Sequence, residues 1–228
     1  MSTVNHASGV KRERVSVLIL GAGSGDRIGR RPKAFLRLDG QTLLERAVAL
    51  VSPFATEIIV GVRPEDLPRA RRLVPKTVHV VAGGATRQET LSRLLQYCTK
   101  PIVLLHEVAR PFVTAELFER LLQEIRRHDA VALYTEIPVR DSLGFMEKQG
   151  LKMVLSRRSV VAMQIPHAYR RKTLLHADRL ATRNDWNEEG TAAVVKRAGH
   201  KVRLIPGSPD NLKVTYVGDL KFRPRHRS

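Results

Sequence analysis

Short apolar runs alternate with amphipathic segments along most of the chain. Runs rich in Val, Ile and Leu predict buried β-strands at 15–20, 57–62, 78–82, 101–105, 130–137 and 201–205. Apolar residues at helical spacing predict helices at 43–51, 65–73, 86–97, 114–128 (with Thr114 as its cap), 173–183 and 191–198. Strands that alternate with helices indicate an α/β fold, in which a doubly wound, mostly parallel, twisted sheet is covered on both faces.

One segment departs from this alternation. Residues 138–160 contain Gly144 and Gly150 but no helical period, and they predict two short strands joined by a turn that project as a β-arm. No repeat or linker divides the rest, so we expect one domain at 15–220. The polar residues 1–14 predict a flexible leader, and 221–228 predict a basic tail.

The composition is that of an ordinary globular protein, with 43% apolar residues among 228. No apolar stretch approaches the roughly 18 residues that span a bilayer, and no signal-peptide pattern opens the chain. We therefore expect a cytoplasmic protein without membrane contact. Cys98 is the only cysteine, which excludes an internal disulfide and a cysteine-based metal site; its helical pattern predicts a buried position. His106 is expected to be packed and hydrogen-bonded rather than a metal ligand.

The net charge of +18 favours anionic partners or anionic substrates. The basic residues are spread over helix-like segments, however, and only 221–227 form a compact basic cluster. Aromatic residues make up 5% of the chain, too few for an obvious base-stacking surface. We interpret most of the charge as solvated surface, and nucleic acid is not the expected partner.

The loop after the first strand is rich in glycine. Gly21, Gly23 and Gly25 let backbone amides approach an anion closely, which suits phosphate oxygens. The loop is not a P-loop, because no G-K-[ST] follows, and it is not G-x-G-x-x-G, because Asp26 holds the sixth position. Arg27 and Lys33 add two cations. From this stretch alone, a phosphate-binding loop and a glycine turn with surface charge both remain open.

Three further stretches follow predicted strands: AGGATRQET at 82–90, LLHEVARPFV at 104–113 and DNLKVT at 210–215. Carboxyl ends of parallel strands meet at one sheet edge, where ligands bind in open α/β folds. With the first loop, these stretches resemble the 2-C-methyl-D-erythritol 4-phosphate cytidylyltransferase family. Its patterns A-A-G-x-G-x-R…P-K, G-G…R-x-x-S-V, H-D-A-A-R-P and N-I-K-x-T have counterparts here in the same order, from about residue 15 to 220: GAGSGDR…PK, GG…RQETL, HEVARP and NLKVT.

The resemblance implies a Rossmann-like nucleotidyltransferase fold and an Mg²⁺-dependent reaction. In it, CTP and 2-C-methyl-D-erythritol 4-phosphate give CDP-methylerythritol and pyrophosphate, a step of non-mevalonate isoprenoid synthesis. It also implies roles for single residues. The catalytic residues are Arg27 and Lys33 as transition-state stabilisers and Arg157 (or Arg158) and Lys213 on the sugar phosphate. The nucleotide-binding residues are Ala22, Gly23 and Gly25 in the phosphate loop, Gly84 and Thr90 at the cytosine, Arg110 and Ser142; the metal ligand is Glu107.

The same resemblance implies a homodimer formed through the β-arm. In the family this arm reaches over the partner subunit, so Arg157 would act in the site of the other protomer.

Departures from the family pattern leave alternatives open. Glu107 replaces the usual Asp, and Gly144 and Ile165 replace a Lys and a Thr. Gap-free alignment places Glu189, Gly190 and Ala193 at the Thr, Asp and Ser of T-D-x-A-S; a short shift offers Asn187, Glu188 and Glu189. The half of the site for the sugar phosphate is therefore expected to be altered. One alternative is a cytidylyltransferase for another polyol phosphate, such as ribitol 5-phosphate. The other is a non-catalytic homologue that binds nucleotides or nucleic acid.

Overall fold

The computed structural model describes residues 14–23, 25, 29, 31–139, 141–186 and 188–222. Most of the predicted leader and tail lies outside these ranges. The strands are β1 (Val15–Leu20), β2 (Arg37–Leu38), β3 (Gln41–Thr42), β4 (Glu57–Val62), β5 (Val78–Ala82), β6 (Ile102–Glu107), β7 (Ala130–Glu136), β8 (Leu143–Glu147), β9 (Gly150–Leu155), β10 (Val161–Arg170) and β11 (Arg203–Pro206). The α-helices are α1 (Leu43–Val51), α2 (Leu67–Leu73), α3 (Arg87–Leu95), α4 (Ala115–Glu124), α5 (Arg171–Arg183) and α6 (Thr191–Arg197).

A seven-stranded sheet carries the fold, in the order β11-β7-β10-β6-β1-β4-β5. All neighbours pair in parallel except β10, which is antiparallel to both β6 and β7. The mostly parallel α/β sheet predicted from the sequence is therefore confirmed.

Strand β10 was not predicted, although it lies in the middle of the sheet. Its sequence contains Pro166, and proline normally argues against a central strand because it cannot donate to the ladder. The structure resolves the conflict with an irregularity: the register with β7 shifts between Gln164 and His167, so that Pro166 falls where the regular pairing is interrupted.

Alternate residues of β1 supply the two halves of the core. Val15, Val17 and Ile19 pack in one apolar cluster with α1, α2 and α4. Leu18 and Leu20 pack in a second cluster with α3, α5 and α6. Because successive side chains of a strand point to opposite faces, the sheet is covered by helices on both sides, as a doubly wound fold requires.

Capping residues set the starts of several helices. Thr42 and Glu45 form a reciprocal capping box at α1, and the Thr86 side chain accepts a hydrogen bond from the Glu89 amide at α3. Thr114 precedes α4 as predicted, but its side chain makes no capping hydrogen bond. Helix α4 also ends at Glu124, short of the predicted 128.

Strands β8 and β9 pair as an antiparallel hairpin, which confirms the predicted arm. Apolar side chains on this arm remain exposed to solvent: Phe145, Met146, Leu151, Met153 and Val154. Exposed apolar side chains gathered on one element are typical of an interaction surface.

Two smaller expectations concern the core and the membrane. Cys98 is buried in the second apolar cluster, as predicted. Within the described residues, no helix combines the length and the apolar character that crossing a bilayer demands.

Candidate active site

The loops after β1, β4, β5 and β6 meet at the carboxyl-terminal edge of the sheet. Main-chain hydrogen bonds extend the parallel pairing past the strand ends. The Gly21 amide donates to the Gly61 oxygen (2.8 Å), and the Gly83 amide donates to the Val62 oxygen (2.7 Å). The glycine-containing loops are thereby held side by side at one edge.

A cavity of about 680 Å³ opens at this edge. It brings together seven of the predicted site residues: Ala22, Gly23, Gly25, Lys33, Gly84, Glu107 and Lys213. It is also lined by residues that were not predicted, chiefly Arg63, Arg87 and Arg93. The expected meeting of the first loop, the end of β6 and the segment at 210–215 is therefore confirmed.

The glycine loop needs glycine at one position above all. Gly25 has φ +71°, in the left-handed region, and a Cβ there would collide with the main-chain oxygen of Arg31. Ala22 and Gly23 line the cavity beside it. Arg27, Ser24 and Asp26 lie outside the described residues, so the role of Arg27 stays a prediction.

Lys33 begins a short 3-10 helix, Lys33–Phe35, that directs its side chain into the cavity. Its Nζ donates to the main-chain oxygen of Val214 at 2.9 Å. The Val214 amide in turn donates to the oxygen of Ala109 at 2.7 Å. The loop after β1, the turn after β6 and the segment at 210–215 are thus linked in one chain of hydrogen bonds.

Glu107, at the end of β6, lies between two cations. Its Oε1 accepts from Arg87 Nε at 3.0 Å, and its Oε2 lies 3.1 Å from Lys213 Nζ. Burial by itself raises the pKa of this carboxyl, but the attraction of Lys213 and Arg87 outweighs it and lowers the pKa to about 2. Glu107 is therefore a carboxylate at neutral pH.

The turn at Gly84 is fixed by Thr90. The Gly84 amide donates to Thr90 Oγ1 at 3.0 Å, and that hydroxyl also lies 3.0 Å from the main-chain oxygen of Thr86. Thr90 is buried and does not line the cavity, whereas Gly84 does. The predicted contact of Gly84 with a cytosine ring fits this placement, whereas Thr90 contacts Gly84 and not the cavity. Both predicted roles at the cytosine stay predictions.

Arg110 lies behind the cavity rather than in it. Its guanidinium is buried, and its Nη1 donates to the main-chain oxygen of Asn211 at 2.7 Å. The Asn211 side chain in turn donates to the Ile165 oxygen at 2.8 Å. These two hydrogen bonds join the turn after β6 and strand β10 to the segment that carries Lys213.

The arm places the remaining predicted residues away from this cavity. Ser142 precedes β8 and Arg157 follows β9, so both lie at the base of the hairpin, and neither lines this cavity. Arg157 Nη1 donates to the main-chain oxygen of Val139 at 3.3 Å. The proposed roles of Ser142, Arg157 and the alternative Arg158 stay predictions.

The segment aligned with T-D-x-A-S contacts the site through Thr191, which was not predicted as a site residue. Glu189 is exposed, and Glu188 pairs with Arg197 at 2.7 Å. The buried Thr191 hydroxyl instead accepts from Arg87 Nη1 at 2.7 Å. The signal that could have found Arg87 was its place as the Arg of the G-G…R-x-x-S-V pattern.

His106 is completely buried and packs edge-on against Phe118. Among the described residues, neither ring nitrogen has a hydrogen-bond partner, so the expected packing is confirmed and the expected hydrogen bonding is wrong. Burial lowers the pKa of His106 to about 4, which keeps the ring neutral at pH 7. The described residues contain no group of three or more metal-binding side chains.

Known proteins are similar to this chain in both sequence and fold. The family model described as 2-C-methyl-D-erythritol 4-phosphate cytidylyltransferase (IspD) matches residues 15–223. The protein of that name from Deinococcus radiodurans is 38% identical over 208 residues, which is 91% of this chain and 87% of the relative. That from Thermus thermophilus is 37% identical, with 90% of this chain and 93% of the relative covered.

Solved structures agree. The crystal structure of 2-C-methyl-D-erythritol 4-phosphate cytidylyltransferase from Thermus thermophilus has a TM-score of 0.76 and 33% identity, covering 92% of this chain and 96% of that one. The 4-diphosphocytidyl-2C-methyl-D-erythritol synthase from Anaerococcus prevotii has a TM-score of 0.79, covering 92% and 95% of the two chains; at 23% identity it supports the fold alone.

The mostly parallel α/β sheet, with glycine loops and cations around a cavity at its carboxyl edge, is the arrangement of a nucleotidyltransferase of Rossmann-like fold. The family model and the curated relatives identify the narrower group. The chain belongs to the 2-C-methyl-D-erythritol 4-phosphate cytidylyltransferase family.

Proposed function

We propose that the protein transfers the cytidylyl group of CTP to 2-C-methyl-D-erythritol 4-phosphate. A phosphate oxygen of the sugar phosphate forms a bond to the α-phosphorus of CTP, and the bond from that phosphorus to the bridging oxygen of pyrophosphate breaks. The observation that carries the proposal is the convergence of the glycine loop, Lys33, Glu107 and Lys213 on one cavity. Such a reaction needs no protein nucleophile, because positioning and charge neutralisation supply the catalysis.

The described residues divide this work between them. Backbone amides of the glycine loop bind phosphate oxygens, as compact turns rich in glycine do. Lys33 stabilises the negative charge that develops on the departing pyrophosphate, and we assign the same task to Arg27 from its sequence position. We assign the base to Gly84, which lines the same cavity.

The residues present fit a bound Mg²⁺. Mg²⁺ is usually held by one or two carboxylates together with substrate phosphates, and Glu107 supplies one carboxylate on the cavity wall. Each carboxylate oxygen has two lone pairs, so contact with Arg87 and Lys213 leaves capacity for a metal. A bound Mg²⁺ would neutralise charge on the triphosphate; Glu107 is the residue that would hold it.

We assign the sugar phosphate to Lys213 and to an arginine from a partner protomer. Lys213 faces the cavity from the segment at 210–215. Arg157 is absent from the cavity of its own protomer, and the arm that carries it exposes Phe145, Met146 and Leu151. Burial of those side chains against a second copy would form a homodimer and bring Arg157 to the other site.

Pyrophosphate release tests the proposed function. Purified protein with CTP and Mg²⁺ is offered 2-C-methyl-D-erythritol 4-phosphate, ribitol 5-phosphate and related polyol phosphates in parallel. Release with the first compound, and much less with the others, is expected. Release with ribitol 5-phosphate alone would overturn the choice of acceptor. The changes at Gly144, Ile165 and Glu189 make that comparison necessary.

A non-catalytic role would give a different pattern. A second cavity, at the opposite sheet edge, is lined by Arg127, His128, His200, Lys201 and Arg203 together with Asp129 and neighbouring residues. Salt-sensitive binding to duplex DNA or RNA, with no pyrophosphate formed from CTP and any polyol phosphate, would favour a nucleic-acid-binding homologue. We expect pyrophosphate instead; the cytoplasmic location stays a prediction from the sequence.

A further inference from the structure

Two cations from different elements contact the carboxylate of Glu107. Arg87 is the first residue of α3, and Lys213 lies near the carboxyl end of the chain. Arg87 Nε contacts Glu107 Oε1 at 3.0 Å, and Lys213 Nζ contacts Glu107 Oε2 at 3.1 Å. The carboxylate side chain is 9% exposed. A buried carboxylate held in this way has a defined orientation toward the cavity.

The two cations are not equivalent. Arg87 has a second hydrogen bond, from Nη1 to the Thr191 hydroxyl at 2.7 Å, and Thr191 is 1% exposed at the start of α6. Within the described part of the chain, the Lys213 ammonium makes no polar contact other than the one to Glu107. Its side chain is 42% exposed, against 31% for Arg87.

The two cations differ in how easily each can leave Glu107 for an acceptor on a bound ligand. A fork that bridges two buried acceptors is fixed by both, since guanidinium donors have a rigid geometry. A single ammonium on a flexible stem can leave one acceptor for another at little cost. The phosphate groups of a nucleoside triphosphate and of the sugar phosphate would offer Lys213 new acceptors, and the accompanying metal would offer Glu107 a new partner. Arg87 would have to break both of its hydrogen bonds to leave.

We propose that Arg87, anchored by Thr191, is the positioning residue that fixes Glu107, and that Lys213 is the exchangeable partner, which leaves Glu107 when metal and triphosphate bind. The inference rests on the proposed function for its ligand. It adds Arg87 and Thr191 to the residues on which the site depends, although in this role neither needs to touch the reacting atoms.

Metal binding provides the readout. Mn²⁺ is titrated into protein saturated with CTP, and its free concentration is followed by electron paramagnetic resonance. Outer-shell partners of metal ligands typically contribute roughly 10- to 100-fold to affinity. We expect Arg87→Ala to weaken Mn²⁺ binding by about that factor and Thr191→Val to weaken it by a smaller factor. Thr191→Ser, which retains the hydroxyl, should restore affinity to near the wild-type value.

The control is Thr173→Val, which removes a hydroxyl that is equally buried (3% exposed) at the start of α5, away from the cavity. It should leave Mn²⁺ affinity unchanged. A merely structural role for Thr191 would lower the unfolding midpoint without changing Mn²⁺ affinity of the folded protein. Wild-type affinity in both Arg87→Ala and Thr191→Val would overturn the proposal.

A second measurement keeps the inference separate from the proposed function. Double-mutant cycles on urea unfolding, without nucleotide, compare the coupling of Glu107→Gln with Arg87→Ala and with Lys213→Met. The anchored Arg87 should show the larger coupling; equal or reversed couplings would contradict the inference. If wild-type protein fails to bind Mn²⁺ with CTP, the proposed function fails, and these cycles still decide whether Arg87 fixes Glu107.

Discussion

Lys33 and Val214 are joined by a hydrogen bond, from Nζ to the main-chain oxygen at 2.9 Å, across 181 residues of sequence. This contact connects the cation that follows the glycine loop to the segment that carries Lys213, so the two lysines of the site are positioned relative to each other by main-chain geometry.

The first prediction concerns Lys33. If its ammonium stabilises charge on the departing pyrophosphate, Lys33→Ala should lower turnover by about 10²- to 10³-fold, the usual loss when a transition-state donor is removed. Loss of the hydrogen bond to Val214 should reduce unfolding free energy by only about 1 kcal/mol. Arg27→Ala is expected to lower turnover similarly.

Pyrophosphate release and urea unfolding measure the two effects. The exposed Lys76, at the opposite end of the sheet just before β5, gives the control variant Lys76→Ala. Near-normal turnover in both Lys33→Ala and Arg27→Ala would show that the site assignment is wrong.

The second prediction concerns two glycines of the first loop that both have positive φ. Gly25 has φ +71° and no room for a Cβ beside the Arg31 oxygen, whereas at Gly29 (φ +64°) no described atom lies within 4 Å of a built Cβ. Each alanine substitution incurs a left-handed backbone cost of about 1–2 kcal/mol. Only Gly25→Ala adds a collision with backbone, which must shift the loop.

Calorimetric titration with CTP separates the two variants. Gly25→Ala should weaken CTP binding by at least about tenfold, or 1.4 kcal/mol, and Gly29→Ala by clearly less. Equal losses would indicate that backbone strain alone, rather than the shape of the cavity wall, explains the effect.

Local patterns were enough to predict most of the sheet and one wall of the site. Apolar runs predicted β1, β4, β5, β6 and β7 nearly to the residue, and parallel pairing then required their carboxyl ends to meet. Strand β10 was not predicted because its pairing depends on partners far away in sequence and because Pro166 argued against a central strand.

Arg87 and Thr191 were not predicted as site residues for a similar reason. Arg87 and Thr191 are separated by 104 residues, and their hydrogen bond arises from the packing of α3 and α6 against one face of the sheet. No periodicity or spacing in the sequence encodes such a contact. The sequence showed that Glu107 replaces the Asp of the family pattern, but it did not show that Arg87 and Lys213 contact the two carboxylate oxygens.

The third prediction concerns acid stability. The neutral, buried His106 has its pKa lowered from 6.5 to about 4, so the unfolded chain binds more protons than the folded one between these values. The contribution of neutral His106 to the free energy of unfolding is therefore fully present above about pH 6.5 and is lost as the pH falls toward 4. At pH 5 the free energy of unfolding is lowered through His106 by about 2 kcal/mol relative to pH 7.5.

His106→Leu should remove that share of the pH dependence while leaving stability at pH 7.5 equal or higher, because an unpartnered polar ring is replaced by an apolar side chain. Urea unfolding at pH 7.5 and 5.0 measures the change. His167, whose pKa is lowered by burial to about 3, should leave some acid sensitivity in the variant. The exposed His79 provides the control His79→Leu; an unchanged pH dependence in His106→Leu would refute the prediction.

The fourth prediction concerns Arg157 and the arm. Arg157→Ala should raise the KM for the sugar phosphate with little effect on CTP binding, because the sugar phosphate is its predicted partner; an effect on CTP affinity alone would contradict that role. Subunit complementation tests whether it acts across a dimer. Equal amounts of Arg157→Ala and Lys33→Ala protein, each nearly inactive under limiting sugar phosphate, are mixed and allowed to exchange subunits.

Half of the resulting dimers should be mixed, and one of the two sites in each should combine an intact Lys33 with an intact Arg157 from the other protomer. Activity should then return to about a quarter of the wild-type value. If Arg157 acted within its own protomer, every site of a mixed dimer would contain one defect and mixing would restore nothing. A third variant, Leu151→Lys on the exposed apolar surface of the arm, should weaken the dimer and lower activity most at low protein concentration.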